Sequence, residues 1–506
     1  MLTQTATGDS RYSFWLRVRE FAVPPSMIET ATARRCAGDW AGACAAAGID
    51  IDFNLRSVAR SHGQELAAQV RADLRHLAPD LLRWHMPRIA PDGLLRPGLT
   101  LSLARYDAPG RDGTCAVHLV ARTPPAWADA GQRISLALWD GSHSEAGDRR
   151  HPHPRPNRRF RLDLHRHLWD VRRTDELRIR SGADRPAEDN GGFLTDPELP
   201  VDPKLPTDPE LPVDPEVLGM VPPGRRCAVD RWAAEARILL RAEGRSEGTF
   251  LVRFGARHRL VLDLVADNDG VGPPALRLSA ASADGVVSAL PALPVLPDAA
   301  TWVLPDLELL RTGSIEVDRL HPLVASALVP NHSPDHSQDH SPEHSPDHSP
   351  AGSPRIADRA GQPHLVECRG ARHRIGLVNG VLAPLDHDPA EIRREELLAA
   401  LTGTPVPCLQ AIDEAHRHPE CLTDVRERLD HGDTAGALAV VEGLLGPDAL
   451  LRNGALRDEL EAAAQRRITY GLFRAGLIGP APGRIVHPDR RRPRDRRSRP
   501  RRATFS

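Results

Sequence analysis

Three side chains suited to binding a metal ion lie at alternate positions in RRFRLDLHRHLWD: Asp163, His165 and His167. Alternate residues of a β-strand point to one face, so a strand here would present all three together. Carboxylate and imidazole groups are zinc ligands, and the pattern is therefore a candidate site for a metal-assisted hydrolase. A solvated strand face shows the same alternation, and no partner motif follows at a recognisable spacing.

The second metal-like feature is a repeat, NHSPDHSQDHSPEHSPDHSP, at positions 331–350. A helix would align its histidines, but the recurring prolines remove amide donors and clash with the preceding turn. In a polyproline conformation each four-residue step rotates the next imidazole by about 120°, so the rings spiral apart. The repeat is predicted to be a spacer that binds metal only loosely. Its histidines are His332, His336, His340, His344 and His348.

The cysteines give no clear metal motif. There are seven, they are widely scattered, and no CxxC pair occurs, which is typical of reduced thiols in a cytoplasm. Cys408, His416, His418 and Cys421 are close in sequence, but the two histidines cannot face the same side of a helix. The sequence therefore predicts no cofactor, and zinc is the one metal that the candidate residues would suit.

The C-terminal stretch DRRRPRDRRSRPRR carries nine arginines and two aspartates in a chain whose net charge is −2. Clustered arginines neutralise phosphates and give salt-sensitive, sequence-independent binding to nucleic acid. No aromatic residue is interleaved to stack on bases, so an ordinary disordered end is the competing interpretation. The arginines that would contact nucleic acid are Arg490, Arg491, Arg492, Arg494, Arg496 and Arg497.

Several enzyme classes are disfavoured by composition. Lys204 is the only lysine, so no lysine is placed for a P-loop, for a kinase or for a Schiff base. The chain also has no HExxH motif. Its N-terminus does not resemble a secretory signal, and no apolar run is long enough to span a membrane. A soluble, cytoplasmic protein that makes no membrane contact is predicted.

Low-complexity segments divide the chain, and the sequence predicts a multi-domain α+β protein with helical hairpins and small antiparallel sheets between low-complexity linkers. The predicted segments are a flexible N-terminus (1–10), helices followed by antiparallel strands (11–185), a proline-rich hexapeptide-repeat linker (186–224), a small α+β module (225–330), a His/Ser/Pro linker (331–361), a β-hairpin with a helical bundle (362–480) and an arginine-rich disordered tail (481–506).

Short alternating stretches predict the strands, namely TLSLARY, TCAVHLVART, ISLALW, RRFRLDLHRHL, TFLVRFG, RLVLDLVA and ALRLSA. RIGLV and VLAPL flank Asn379 and Gly380, a pair that favours a type I′ hairpin turn. A helix should follow, capped by Asp388 and ended by Gly403, with an apolar set at Ile392, Leu397, Leu398 and Leu401.

Two stretches, GDWAGACA from Gly38 and GDTAGALA from Gly432, share six of eight residues. Glycine ends one helix, aspartate caps the next, and small residues allow close approach, so each resembles the joint of an isolated tetratricopeptide-like helical hairpin. The stretches DLRHLAPDLLRWHMPRI and VECRGARHRIGLVNGVLAPLDHD resemble an uncharacterised family of actinobacterial proteins. That resemblance implies a bacterial cytosolic setting and carries no activity or catalytic residue.

The function predicted from these observations is a non-enzymatic interaction or scaffold protein that binds a protein partner. Two alternatives stay open, a metal-assisted hydrolase at Asp163, His165 and His167, and a nucleic-acid-associated protein acting through its arginine tail. Pathway, partner identity and oligomeric state are not specified by the sequence.

Overall fold

The computed structural model describes residues 8–110, 113–129, 132–141, 151–184, 215–222, 226–255, 258–267, 275–280, 292–330, 364–368 and 370–479. These residues form a mixed α+β protein with several small separate sheets, as the sequence predicts. They fall into two compact units, the first within 1–127 and 133–333, and the second within 334–478 together with 128–132.

The first unit begins with a run of helices that surround one large core. The helices are α1 (Gly8–Phe21), α2 (Pro25–Cys36), α3 (Trp40–Ala46), α4 (Leu55–His62), α5 (Gln64–His76) and α6 (Pro79–His85). Helix α1 starts inside the segment predicted to be flexible, so only residues 1–7 of that segment lie outside the described residues. The leucines spaced for one buried face of α5 and α6 are indeed buried: Leu74, Leu77, Leu81 and Leu82.

The strands of this part form a four-stranded sheet and a small two-stranded one. The strands are β1 (Ile49–Ile51), β2 (Arg88–Ile89), β3 (Leu94–Leu95), β4 (Thr100–Gly110), β5 (Gly113–Arg122) and β6 (Ile134–Trp139). The larger sheet has the order β1-β6-β5-β4, in which β4, β5 and β6 are antiparallel, as predicted, and β1 joins β6 in parallel.

The predicted strand RRFRLDLHRHL is wrong. Only one bridge, from Ser102 of β4 to Arg161, links this stretch to the sheet, and residues 166–168 form a 3₁₀ turn. Its apolar side chains, Phe160 and Leu162, are buried together with Trp169, whose indole Nε1 donates to the Leu162 carbonyl at 3.0 Å. The chain turns because folding buries residues from both faces of the predicted strand, which a half-solvated strand cannot do.

Residues from 176 onward complete the first unit. The elements are α7 (Glu176–Ser181), α8 (Pro215–Met220), α9 (Trp232–Ala242), β7 (Gly248–Arg253), β8 (Arg259–Asp267), β9 (Ala275–Ala280), α10 (Asp298–Thr301), α11 (Pro305–Arg311) and α12 (Pro322–Leu328). Strands β7, β8 and β9 form an antiparallel sheet in that order, as predicted, and α9 packs on it.

The two sequence segments 11–185 and 225–330 lie in the same unit. Side chains of α11 and α12, such as Leu309 and Val324, belong to the core formed by α1 to α6 and the first sheet. A buried bidentate pair, Arg159 with Asp298 at 2.9 and 2.7 Å, also joins the two segments. Their association therefore rests on both apolar packing and buried ion pairs.

The described residues of the second unit form a three-stranded antiparallel sheet and five helices. They are β10 (His364–Cys368), β11 (Ala371–Val378), β12 (Val381–Pro384), α13 (Pro389–Thr402), α14 (Pro407–Arg417), α15 (Leu422–His431), α16 (Thr434–Leu445) and α17 (Ala455–Ala475). Strand β10 adds a third strand to the predicted hairpin.

The hairpin turn and the start of α13 are confirmed. Asn379 and Gly380 have φ of 51° and 81°, the positive values that a type I′ turn requires. Asp388 accepts a hydrogen bond from the Ala390 amide at 2.8 Å, and α13 ends at Gly403, whose φ is 72°. Local turn and cap chemistry thus sets the path of the chain from β11 to α13.

The two GD joints have the same geometry. Gly38 and Gly432 end α2 and α15 with φ of 78° and 89°. Asp39 and Asp433 then cap α3 and α16, each accepting from the amide three residues on, at 2.8 and 2.9 Å. Each capping carboxylate also pairs with an arginine of the preceding helix, so both joints are closed by a cap and an ion pair.

Replacing the cap at the second joint should loosen this hairpin. We expect Asp433→Ala to lower the free energy of unfolding of the second unit by about 1–2 kcal/mol, because α16 loses its cap. Asp433→Asn keeps an oxygen that can cap α16 and should lower the free energy of unfolding by less, because only the ion pair with Arg428 is lost. Amide hydrogen exchange in α15 and α16 measures both, and equal losses for the two variants would contradict the capping role.

Several sequence features lie outside the described residues. They are the histidine repeat, most of the proline-rich linker and the arginine-rich tail, so nucleic-acid binding through Arg490 to Arg497 stays a prediction. No helix among the described residues combines the length and the apolar character that crossing a membrane requires.

Candidate functional site

The structure places Asp163 in an ion pair at the edge of β4. Its carboxylate accepts from the Arg161 guanidinium at 2.7 Å, and Arg161 also pairs with Glu243. The Asp163 amide donates to the Ser102 carbonyl at 2.9 Å, which fixes the backbone beside the sheet. The carboxylate is therefore engaged by an arginine of its own turn.

His165 and His167 are buried in the first unit, with ring centroids 5.6 Å apart. Nδ1 of His165 lies 3.1 Å from Arg180, which forms a bidentate pair with Glu235. Burial, reinforced by Arg180, holds the pKa of both imidazoles well below the ordinary value. Both rings are therefore neutral at physiological pH.

Asp163, His165 and His167 are not among the groups of ligand atoms that converge within the described residues. The reason is the turn at 160–168, which replaces the strand that would have aligned them. The structure thus separates the carboxylate, at the sheet edge, from two imidazoles that lie in the interior.

A different set of metal-binding side chains does converge, in the second unit. It consists of Cys368, His387 and Cys408, whose ligand atoms all lie within 4.8 Å of one another; we call it the CHC cluster. The Cys408 thiol is 3.4 Å from Nε2 of His387. Both cysteines are buried, and the His387 side chain is 4% exposed.

Three separate elements position the cluster. Cys368 is the last residue of β10, and His387 lies between the end of β12 and the cap of α13. Cys408 is the second residue of α14, directly after the proline that begins that helix. The sheet register and two helix starts together determine where the three side chains meet.

A carboxylate lies on the other side of the His387 ring. Nδ1 of His387 is 4.0 Å from Glu395 Oε2, and both side chains are almost completely buried. Glu391 joins these two in a second convergent group. Burial, together with the neighbouring Cys368 thiol and the nearby carboxylates, raises the pKa of Cys408 to about 12.

The cysteine and histidines that the sequence groups with Cys408 do not join it in the CHC cluster. Cys421 belongs to the apolar core of the second unit, His416 is buried on α14, and His418 is exposed beside Glu414 at 3.6 Å. The sequence pattern groups residues that are close in the chain. The ligands that meet in the CHC cluster are instead separated from the next ligand by about twenty residues.

Helix α13 is unusual because its one buried residue is a glutamate. Glu395 points inward to the CHC cluster, whereas Leu397, Leu398 and Leu401 are 66%, 49% and 85% exposed. The sequence predicts an apolar set along this helix, and three of its four members face solvent. The apolar stripe and the buried side are thus on different faces.

Comparisons of the chain with models of known protein families, with curated proteins and with solved structures found no match.

Proposed function

We propose that this chain is a non-enzymatic interaction protein and that helix α13 is the element on which a protein partner binds. The observation that carries the proposal is the exposure of Leu397, Leu398 and Leu401 on one helix. Contiguous exposed apolar side chains rimmed by polar residues are typical of protein interaction sites.

The spacing of these leucines supports a single docking surface. Residues 397 and 401 are one helical turn apart, and 398 lies beside both, so the three form one stripe. We call this stripe, together with Arg394 one turn before it, the α13 face. Full burial of a leucine contributes about 1.5–3 kcal/mol, so covering the stripe would stabilise a complex substantially.

Arg394 indicates the chemistry of the partner. It is exposed, and no ion pair to it is formed among the described residues. At positions i, i+3, i+4 and i+7 its guanidinium shares the face of the three leucines. The partner that suits this face is a protein segment with an apolar stripe and a carboxylate at one end.

A charge placed in the α13 face should prevent the complex from forming. We expect Leu401→Arg to weaken partner binding at least about thirty-fold, corresponding to about 2 kcal/mol, because a buried apolar contact is replaced by an unpaired charge. The measurement is affinity for the protein that co-purifies stoichiometrically with the wild-type chain from its natural host, after that protein has been expressed separately.

The matched control is Leu450→Arg. Leu450 is 89% exposed and lies in the loop before α17, away from α13 in sequence. That variant should bind the partner as the wild type does. Equal loss in both variants, a partner insensitive to Leu401→Arg, or a second copy of the chain as the sole occupant would each contradict the proposal.

We place this function in the cytoplasm. Cys368 and Cys408, the buried pair in the CHC cluster, are free thiols. Free thiols suit a reducing compartment, where disulfides seldom persist. Fractionation of the host cell tests this placement, and recovery of the chain outside the cytoplasm would overturn it.

A further inference from the structure

We infer that Cys368, His387 and Cys408 form a zinc-binding site in the second unit. Thiolate sulfur and imidazole nitrogen are the ligands that zinc binds in structural sites. No sequence motif marks these three residues, and the proposal does not depend on partner binding by the α13 face.

The distances suit a single tetrahedral ion. With zinc bonds of about 2.3 Å to sulfur and about 2.05 Å to nitrogen, tetrahedral geometry places a nitrogen and a sulfur ligand about 3.6 Å apart. Nε2 of His387 and Sγ of Cys408 are 3.4 Å apart, and no two ligand atoms of the CHC cluster are further apart than 4.8 Å. Side-chain shifts of at most about 1 Å would therefore complete the three-ligand set.

The surroundings of His387 have the arrangement that supports a metal-bound imidazole. Nε2 faces the thiol of Cys408, whereas Nδ1 faces the carboxylate of Glu395 at 4.0 Å. A histidine that binds zinc through one nitrogen commonly has a carboxylate beside the other, which fixes its orientation. This role accounts for a glutamate as the single buried residue of α13.

A second histidine packs against the cluster. The ring of His373, on β11, lies 4.3 Å from that of His387 between centroids. Its Nδ1 is inaccessible to solvent and makes no hydrogen bond among the described residues. Three protein ligands leave one coordination position on zinc, and we do not assign it to His373, which is not among the residues whose ligand atoms converge.

The packing of the second unit suggests a structural role for the bound ion. The apolar core of the second unit is built from α15, α16 and α17, and it includes no buried side chain of β10, β11 or α13. The CHC cluster lies where β10, the end of the hairpin and α14 meet, and Glu395 brings α13 to the same point. Zinc would join β10, α14 and the segment before α13 at a point outside this apolar core.

The test uses the full chain with the five histidines of the 331–350 repeat replaced by asparagine, because that repeat would bind metal by itself. Cobalt(II) is the probe, since cysteine thiolates bound to cobalt absorb in the near ultraviolet and imidazoles do not. We expect one equivalent of cobalt to produce the thiolate band and one equivalent of zinc to abolish it. Absence of the band in the reduced chain would overturn the proposal.

Variants locate the ion. Cys368→Ser and Cys408→Ser should each lose the band, whereas Cys421→Ser, at a buried cysteine outside the cluster, should retain it. Glu395→Gln should weaken cobalt affinity about 10–100-fold, with Glu396→Gln on the same helix as the unaffected control. Retention of the band in Cys408→Ser would contradict the assignment.

Thiol labelling provides a readout that does not depend on variants. With zinc bound, Cys368 and Cys408 should resist alkylation, and a chelator should expose them, whereas the exposed Cys36 reacts in both states. A Cys368–Cys408 disulfide in the freshly isolated chain, with no metal bound after its reduction, would replace the zinc proposal by a redox pair.

Discussion

Lowering the pH from 6.5 to 5.5 is expected to reduce the free energy of unfolding of the first unit by about 3 kcal/mol, about 1 kcal/mol for each of three buried histidines. They are His85, His165 and His167. Burial lowers the pKa of His85 to about 3 and the pKa values of the other two well below the ordinary range. The folded unit therefore keeps all three neutral throughout this interval.

The direction follows from proton binding. Below pH 6.5 the unfolded chain protonates these imidazoles and the folded unit does not, so protons favour unfolding. This stability is fully present above the unfolded pKa and is lost as the pH falls toward the folded pKa, near 3 for His85. Nδ1 of His85 lies 3.2 Å from the carbonyls of Leu81 and Leu168, an arrangement that suits a neutral ring donating from this nitrogen.

Tryptophan fluorescence during denaturant unfolding measures the effect in the first unit alone, because all eight tryptophans precede position 303 and lie in it. His85→Gln should reduce the pH-dependent loss by about 1 kcal/mol, since the titration of one buried imidazole is removed. His258→Gln, at an exposed position, should retain the full loss. A pH-independent free energy of unfolding between 6.5 and 5.5 would contradict neutral burial of the three rings.

Removing the carboxylate of Asp306 is expected to cost the first unit about 3–5 kcal/mol. Asp306 on α11 pairs with Arg19 of α1 at 2.7 Å, and both side chains are buried. Its second oxygen accepts from the Trp84 indole at 3.1 Å, and the Arg19 guanidinium lies over that indole ring, 4.3 Å from its centroid. Asp306→Ala would leave a buried guanidinium without its carboxylate.

Two controls distinguish the loss of the buried ion pair from non-specific destabilisation of the first unit. The double variant Arg19→Met with Asp306→Leu removes both charges and should recover most of the loss, because an apolar pair of similar volume tolerates burial. Asp107→Ala removes the carboxylate of an exposed pair with Arg105 and should cost less than about 1 kcal/mol. A cost for Asp306→Ala as small as that for Asp107→Ala would show that the buried pair contributes little.

Local chemistry made part of the fold predictable. The turn at Asn379 and Gly380, the cap at Asp388 and the two GD joints each depend on residues within four positions of one another, and all take the expected geometry. The stretch 158–168 fails for the opposite reason. Its alternation is genuine, but burial of Phe160, Leu162 and Trp169 in one core outweighs the local preference for a strand.

The association of segments 11–185 and 225–330 was not predictable from composition. A long proline-rich stretch separates them in sequence, yet pairs such as Arg159 with Asp298 and His321 with Asp80 connect residues more than a hundred positions apart. The CHC cluster was likewise not predictable from the sequence, because its ligands are brought together only by the sheet register and the start of α14. Rules based on residue spacing identify ligands that are close in sequence, whereas the three ligands of the CHC cluster are far apart in sequence.

The α13 face carries the functional proposal, and amide hydrogen exchange of α13 in the free chain and in the isolated complex tests it most directly. Partner binding should slow exchange at residues 397–402 and leave the loop around Leu450 unchanged, because the stripe of Leu397, Leu398 and Leu401 is covered only in the complex. Equal exchange of α13 in the two states, with the partner stoichiometrically bound, would contradict the account.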